Sequence, residues 1–116
     1  MLEFYGYTKC NTSRKVEQFL KDKNIEYKFI DITQKPPSKS ILNQLIKNLN
    51  LHPQDLMNKS SITYKELNLK DKIKDLNKEE ILNLLIENPK LIKRPVIVDK
   101  SKNLYGMGKE IMNLVL

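Results

Sequence analysis

Apolar and polar positions alternate along this chain in a pattern that changes period several times. Leu2 to Tyr5 form a short apolar run closed by Gly6, which predicts an N-terminal strand. Beyond Cys10 the apolar residues Val16, Phe19 and Leu20 recur at helical spacing, and Lys23-Asn24 ends that helix. Ile25, Tyr27 and Phe29 then alternate with Glu26 and Lys28, and the run continues through Ile30 and Ile32 as a second strand. The opening therefore reads βαβ, with a crossover long enough for the two strands to lie parallel.

Pro36-Pro37 breaks the pattern, and Ser38 is placed to cap a helix whose apolar positions are Ile41, Leu42, Leu45, Ile46 and Leu49. Pro53 opens a further helical turn. Up to Leu76 the sequence is lysine-rich and irregular, with Leu56, Met57, Tyr64, Leu67 and Leu69 as core anchors of short helices. Asn77 followed by Glu80 makes a capping-box start, and Ile81, Leu84 and Leu85 form the expected buried stripe until Asn88-Pro89. After Arg94-Pro95, Val96 to Val98 predict a strand and Asp99 to Asn103 a polar turn. Leu104-Tyr105 pairs back as a hairpin, and a last helix holds Ile111, Met112, Leu114 and Val115. The order implies an α/β fold, βαβ then ββα, in one domain over 1–116, with its core in 1–34 and 90–116 and an all-helical insertion at about 35–89.

Composition narrows the setting. At 116 residues the chain suits one compact domain with a real core. Cys10 is the only cysteine, which removes internal disulfides and, with no leader pattern, points to a reducing cytoplasm. No apolar run approaches the roughly 18 residues of a membrane span, so no membrane association is expected. The net charge of +7 arises from lysines interleaved with acids, as in KELNLKDKIKDLNKEE, which reads as solvated helix faces rather than a stripe for direct nucleic-acid binding. Only Arg14 and Arg94 break the rule that this chain's cation is lysine, and a guanidinium in such a background suggests a planar, multi-donor contact.

Cys10 falls at the turn between strand and helix, where free N–H groups and the helix dipole favour a thiolate, and Arg14, one helical turn on, with Lys9, is expected to add positive charge that lowers the thiol further. The competing reading is a small buried hydrophobe, against which stand its polar neighbours Thr8, Asn11, Thr12 and Ser13. Thr12 and Ser13 are either donors to the sulfur or an oxyanion, or ordinary helix caps. Arg94 before Pro95 is either an anion-binding residue or a surface arginine beside a strand-leading proline. His52, the single histidine, reads as a solvent-facing loop residue. With one His and one Cys, a closed metal site of the usual kind is not expected, and no nucleotide-binding or zinc-hydrolase motif occurs. Tyr5, Tyr7, Tyr27 and Tyr64 read as core or core-edge residues.

Four segments in order, FYGYTKCNTSRKVEQFL, KPPSKSILNQLI, SSITYKELNLK and ENPKLIKRPVIVDKSKNLYGMGKE, resemble the arsenate reductase-like (ArsC/Spx) branch of thioredoxin-fold proteins nearly end to end. The resemblance implies a glutaredoxin-like mixed sheet with the helical insertion between its halves, and a cis peptide at Arg94-Pro95. It implies Cys10 as nucleophile with Arg14 in its loop-helix and Arg94 binding an anion, and Asn11, Thr12, Ser13, Pro95 and Lys59 as substrate-binding positions. The family's other anion-binding arginines fall near Asn58 and Met107, where this chain has none, leaving Lys59 or Lys109 beside them. The implied cofactor pattern is glutathione as co-substrate with nothing tightly bound. The implied partners are glutaredoxin or glutathione and a small oxyanion or disulfide substrate. The regulator branch binds the C-terminal domain of the RNA polymerase α subunit and carries a CxxC switch, where this chain reads Cys10-Asn11-Thr12-Ser13. The sequence is closest to the uncharacterised monothiol members.

Overall fold

The computed structural model describes residues 1–116. Four strands, β1 (Leu2–Gly6), β2 (Tyr27–Asp31), β3 (Val96–Asp99) and β4 (Leu104–Met107), form one mixed sheet in the order β2-β1-β3-β4. β1 and β2 run parallel, with Leu2 opposite Tyr27 and Gly6 opposite Asp31. β1 and β3 are antiparallel, as are β3 and β4. The connection from β1 to β2 is α1 (Asn11–Asp22), as the βαβ reading requires.

Each face of the sheet has its own core. Leu2, Phe4, Val16, Leu20, Ile97 and Ile111 pack α1 and the C-terminal segment on one side. Tyr5, Ile30, Ile32, Val96 and Val98 face the insertion, meeting Leu42, Leu45, Ile81, Leu82 and Leu85 of α2 (Lys39–Leu49) and α5 (Lys78–Glu87). β3 is covered on both faces, which is why Val96-Ile97-Val98 is an unbroken apolar run rather than an alternation. β2 is an edge strand and the alternation read there is only half realised. Ile30 and Ile32 are buried in the larger core, whereas Phe29 stays exposed while lying 5.7 Å from Phe4 between ring centroids.

The insertion between β2 and β3 contains no strand of the sheet and is built of short helices joined by loops, with α3 (Ile62–Glu66) and α4 (Leu69–Lys72) between α2 and α5. Ser38 caps α2, its Oγ accepting from the Ile41 N–H. Asn77 and Glu80 form the reciprocal capping box expected for α5. Within α5 the buried partner of Ile81 and Leu85 is Leu82 rather than Leu84, which is only half-buried. Positions 81, 82 and 85 share one helical face, so the stripe is turned slightly from the one expected.

Asn24, Asn50, Asn68 and Asn103 all adopt left-handed backbone, with φ between 50° and 56°. Asparagine is the side chain that tolerates this region best after glycine. At the ends of α1 and α2, the next residue closes the helix with a bond to the carbonyl five residues back, Ile25 N–H to Leu20 and Leu51 N–H to Ile46.

The C-terminal helix is the one expected element that differs. Gly108–Asn113 winds as a 3-10 helix, and Ile111 is buried while Val115 is fully exposed. Of the expected apolar stripe only Ile111 is buried, packed in the smaller core with Leu2, Phe4, Val16, Leu20 and Ile97.

Candidate functional site

Cys10 is the N-cap residue of α1, in extended backbone with φ −103° and ψ 122°. Its own N–H donates to the Tyr7 carbonyl at 3.0 Å, and its carbonyl accepts the first helical bond, from Arg14 N–H at 3.1 Å. The sulfur is half-buried and free, and Cys10 belongs to neither core. Burial pushes the thiol up, but this is outweighed: the Ser13 N–H, the Arg94 guanidinium as donor and charge, and the Thr12 N–H together hold it below its ordinary value.

Thr12 and Ser13 therefore act through backbone. The Ser13 side chain is buried and its Oγ accepts from the Tyr7 N–H at 3.1 Å, fastening the cysteine loop to the first turn of the helix. This hydroxyl has a structural role in holding the loop.

Arg14 is placed differently from the expectation. Its guanidinium is exposed and bonds to Asn11 Oδ1, and it is not among the groups that lower the thiol. The bond to Asn11 holds Arg14 on the exposed side of the helix start, whereas Arg94 arrives from another element. The Arg94 guanidinium stands over the Tyr7 ring at 5.3 Å, and its Nη1 donates to the Lys90 carbonyl at 3.2 Å. Its Nε is buried and has no protein partner. An unpaired buried donor costs about 1–3 kcal/mol, so this one is available to a ligand. The Arg94-Pro95 peptide is cis, and the Pro95 carbonyl accepts from the Gly108 N–H at 2.8 Å.

These groups surround a pocket of about 170 Å³ lined by Cys10, Thr12, Asn58, Lys93, Arg94, Gly108 and Lys109. The insertion reaches it through a single antiparallel bridge, Met57 to Ile92. There Asn58 N–H donates to the Leu91 carbonyl at 2.7 Å and Lys93 N–H to the Leu56 carbonyl at 2.8 Å. Gly108 has φ +71°, and a Cβ there would lie 3.1 Å from the Lys93 Cε, so glycine keeps the pocket wall open. Lys59, expected at the anion site, lies outside this pocket and lines the adjoining groove; Lys109 and Lys93 are the lysines that border the sulfur's pocket. Asn11 is exposed and occupied by Arg14. Lys93 had no signal of its own in a chain with lysine throughout, and only the pairing of Ile92 with Met57 singles it out. His52 is exposed, as read, and its N–H donates to Asp55 Oδ2. No group of His, Cys, Asp and Glu is arranged to hold a metal ion. No helix is long and apolar enough to cross a membrane.

Residues 5–113 match the model of the ArsC family. The chain belongs to that family. The ArsC relatives include the uncharacterized protein YusI of Bacillus subtilis, 38% identical over 109 residues covering 94% of this chain and 92% of YusI. The regulatory protein MgsR of the same organism is 33% identical, covering 90% of this chain and 82% of MgsR. Other homologues carry the names arsenate reductase and global transcriptional regulator Spx. A crystal structure described as a possible arsenate reductase from Streptococcus mutans superposes with a TM-score of 0.83 at 37% identity, covering 93% of this chain and 90% of that one. The thioredoxin-like ArsC architecture implied by the sequence is thus the architecture of this chain, and it is this sheet topology that brings Cys10 and Arg94 to one pocket, which Pro95 does not line.

Proposed function

We propose that this ArsC family member is a monothiol oxidoreductase in which Cys10 is the nucleophile and Arg94 the anion-binding residue. The observation that carries this reading is the Cys10 sulfur at a helix N-terminus, facing the Arg94 guanidinium across an open pocket. The thiolate attacks one sulfur of a disulfide, forming a Cys10 mixed disulfide and expelling the other half as a thiolate with the bonding electron pair. Ser13 occupies the place a resolving thiol would take, and it is committed to Tyr7. A second, external thiol, such as glutathione alone or through glutaredoxin, must therefore attack the mixed disulfide and regenerate the Cys10 thiolate.

An oxyanion would find Arg94 and two lysines here, not three guanidiniums. Lysine is a point charge without the planar fork that grips two oxygens at once, so the pocket suits a thiol or disulfide better than arsenate. The test is mass spectrometry of the protein incubated with oxidised glutathione and, separately, with 2-hydroxyethyl disulfide, beside Cys10→Ser. Adducts confined to Cys10 are expected; wild type that forms no adduct with either reagent overturns the reading.

A second reading rests on the 33% identity to a regulatory protein over most of both chains. In it the chain contacts the C-terminal domain of the RNA polymerase α subunit, the partner that the resemblance to Spx-type regulators implies. Retention of that domain on the immobilised protein at micromolar concentration is its expected result, and no retention overturns it.

A further inference from the structure

Tyr7 is the first residue beyond β1, and three separate contacts converge on it. Its carbonyl accepts the Cys10 N–H at 3.0 Å, closing the turn that carries the sulfur. Its N–H donates to Ser13 Oγ at 3.1 Å, tying the same turn to the start of α1. Its ring lies under the Arg94 guanidinium at 5.3 Å. The nucleophile's loop and its cation are thus fastened to one residue.

Sheet register brings Tyr7 to a residue so distant in sequence. β1 and β3 are antiparallel, and Tyr5 opposite Val96 is the last pair of their ladder. Continued two residues further, the same register sets Tyr7 opposite Arg94, and a step of two keeps a side chain on the same face of the sheet. Tyr5 and Val96 both belong to the larger core, and Tyr7 packs partly buried against it, so the ring has a fixed seat. Arg94 is held more lightly. Outside the site itself its guanidinium has one hydrogen bond, Nη1 to the Lys90 carbonyl at 3.2 Å, and that bond is exposed. A long flexible side chain so held needs a further contact to keep one orientation, and the face of an aromatic ring supplies it.

We infer that Tyr7 is a positioning residue: its ring holds the Arg94 guanidinium toward Cys10, and its backbone holds the sulfur in register with that guanidinium. The inference rests on the proposed pairing of Cys10 with Arg94 and adds the residue that maintains it. The contact is with the ring face, so the hydroxyl is dispensable and phenylalanine is the conservative replacement. A side-chain substitution leaves the N–H and carbonyl of residue 7 in place. It removes the ring and spares both loop bonds.

The test is the pH dependence of Cys10 alkylation by iodoacetamide in wild type, Tyr7→Phe, Tyr7→Leu and Tyr7→Met, each also combined with Arg94→Met. Tyr7→Phe is expected to keep the wild-type midpoint. Tyr7→Leu and Tyr7→Met are expected to raise it by about half a pH unit, part of the roughly one unit that loss of Arg94 itself brings. In the Arg94→Met background all the Tyr7 variants are expected to share one midpoint, because the group through which the ring acts is gone. Equal shifts in both backgrounds overturn the assignment, since the ring then acts on the loop or the fold rather than on Arg94. So does a wild-type midpoint in both aliphatic variants, or a Tyr7→Phe profile that matches theirs. Urea unfolding shows that each variant is folded, and failure of both aliphatic variants to fold also overturns it, by making the ring a core element. A wild-type midpoint at that of a free thiol instead overturns the underlying reading of Cys10, and this one with it.

Discussion

Replacing Arg94 by Met removes the guanidinium while keeping a flexible apolar stem against Tyr7, so it isolates the charge. A hydrogen bond to an ionised partner contributes about 1.5–3 kcal/mol. Arg94 is half-exposed, and solvent screening places its contribution at or below the lower end of that range. Since about 1.4 kcal/mol is a factor of ten in ionisation, the thiolate population well below the titration midpoint should fall about tenfold. The remaining thiolate is more basic and, with a Brønsted coefficient of about 0.4–0.5, roughly threefold more nucleophilic. The alkylation rate of Arg94→Met should therefore be about threefold slower than wild type at low pH and about threefold faster on the high-pH plateau. The two pH–rate profiles must cross. Iodoacetamide kinetics followed by intact-protein mass spectrometry measures both limbs. Superimposable profiles would refute the assignment of Arg94 as the stabilising cation, and a uniform slowing at every pH would show that Arg94 governs access instead. The parallel variant Arg14→Met should leave the profile in place.

The lowered Cys10 thiol also couples to folding. Between its native value and the 9.0 of a free thiol, the unfolded chain holds a proton that the native chain does not, so stability rises with pH there. The stability gap between wild type and Cys10→Ser, from urea unfolding, should widen up to about pH 9 and be lost as pH falls through the native value; a pH-independent gap sinks the claim. Tyr27 behaves oppositely: burial and the 2.6 Å hydrogen bond to Glu17 push its phenol to about 12, so its stabilisation is complete below 10.0 and lost as pH rises through about 12. Spectrophotometric titration should show that late phenolate, and Glu17→Gln should shift it back toward 10.0. Asn77→Ala should cost about 1 kcal/mol by removing the α5 cap, read from denaturant midpoints. Leu82→Ala should cost roughly 2–5 kcal/mol and Leu84→Ala clearly less, and equal losses would contradict the observed burial of the helix face.

The sequence carried the elements whose signals are local. Asn77 with Glu80, Ser38 ahead of Ile41, and the polar turn before Asn103 each announce a boundary through one side chain and its backbone partner. β3 was legible because a strand covered on both faces reads as a run of consecutive apolar residues, here Val96 to Val98. The C-terminal segment was not, since Ile111, Met112, Leu114 and Val115 have helical spacing yet only Ile111 finds a deep seat. The site divided in the same way. Cys10 at a helix start is a property of adjacent residues and could be read directly. The partner cation could not be read from local sequence, and only the family resemblance pointed to it: Arg14 is near in sequence but engages Asn11 at the exposed helix start, while Arg94 reaches the sulfur through sheet topology. Lys93 became visible only when the Met57–Ile92 bridge brought the insertion against the core, and Asn58, singled out in the sequence only as a position without the family's arginine, is seated at the pocket by the same bridge.

The four left-handed asparagines are each followed directly by an aliphatic residue, Ile25, Leu51, Leu69 or Leu104, and each of these packs against one of the two cores. Corner and anchor are thus neighbours on the backbone, with no slack between them. Surface loops ordinarily absorb inserted or deleted residues. In this chain, a one-residue indel at any of these dipeptides would unseat an aliphatic together with the bend, so its corners tolerate a change of length less well than the stretches between them.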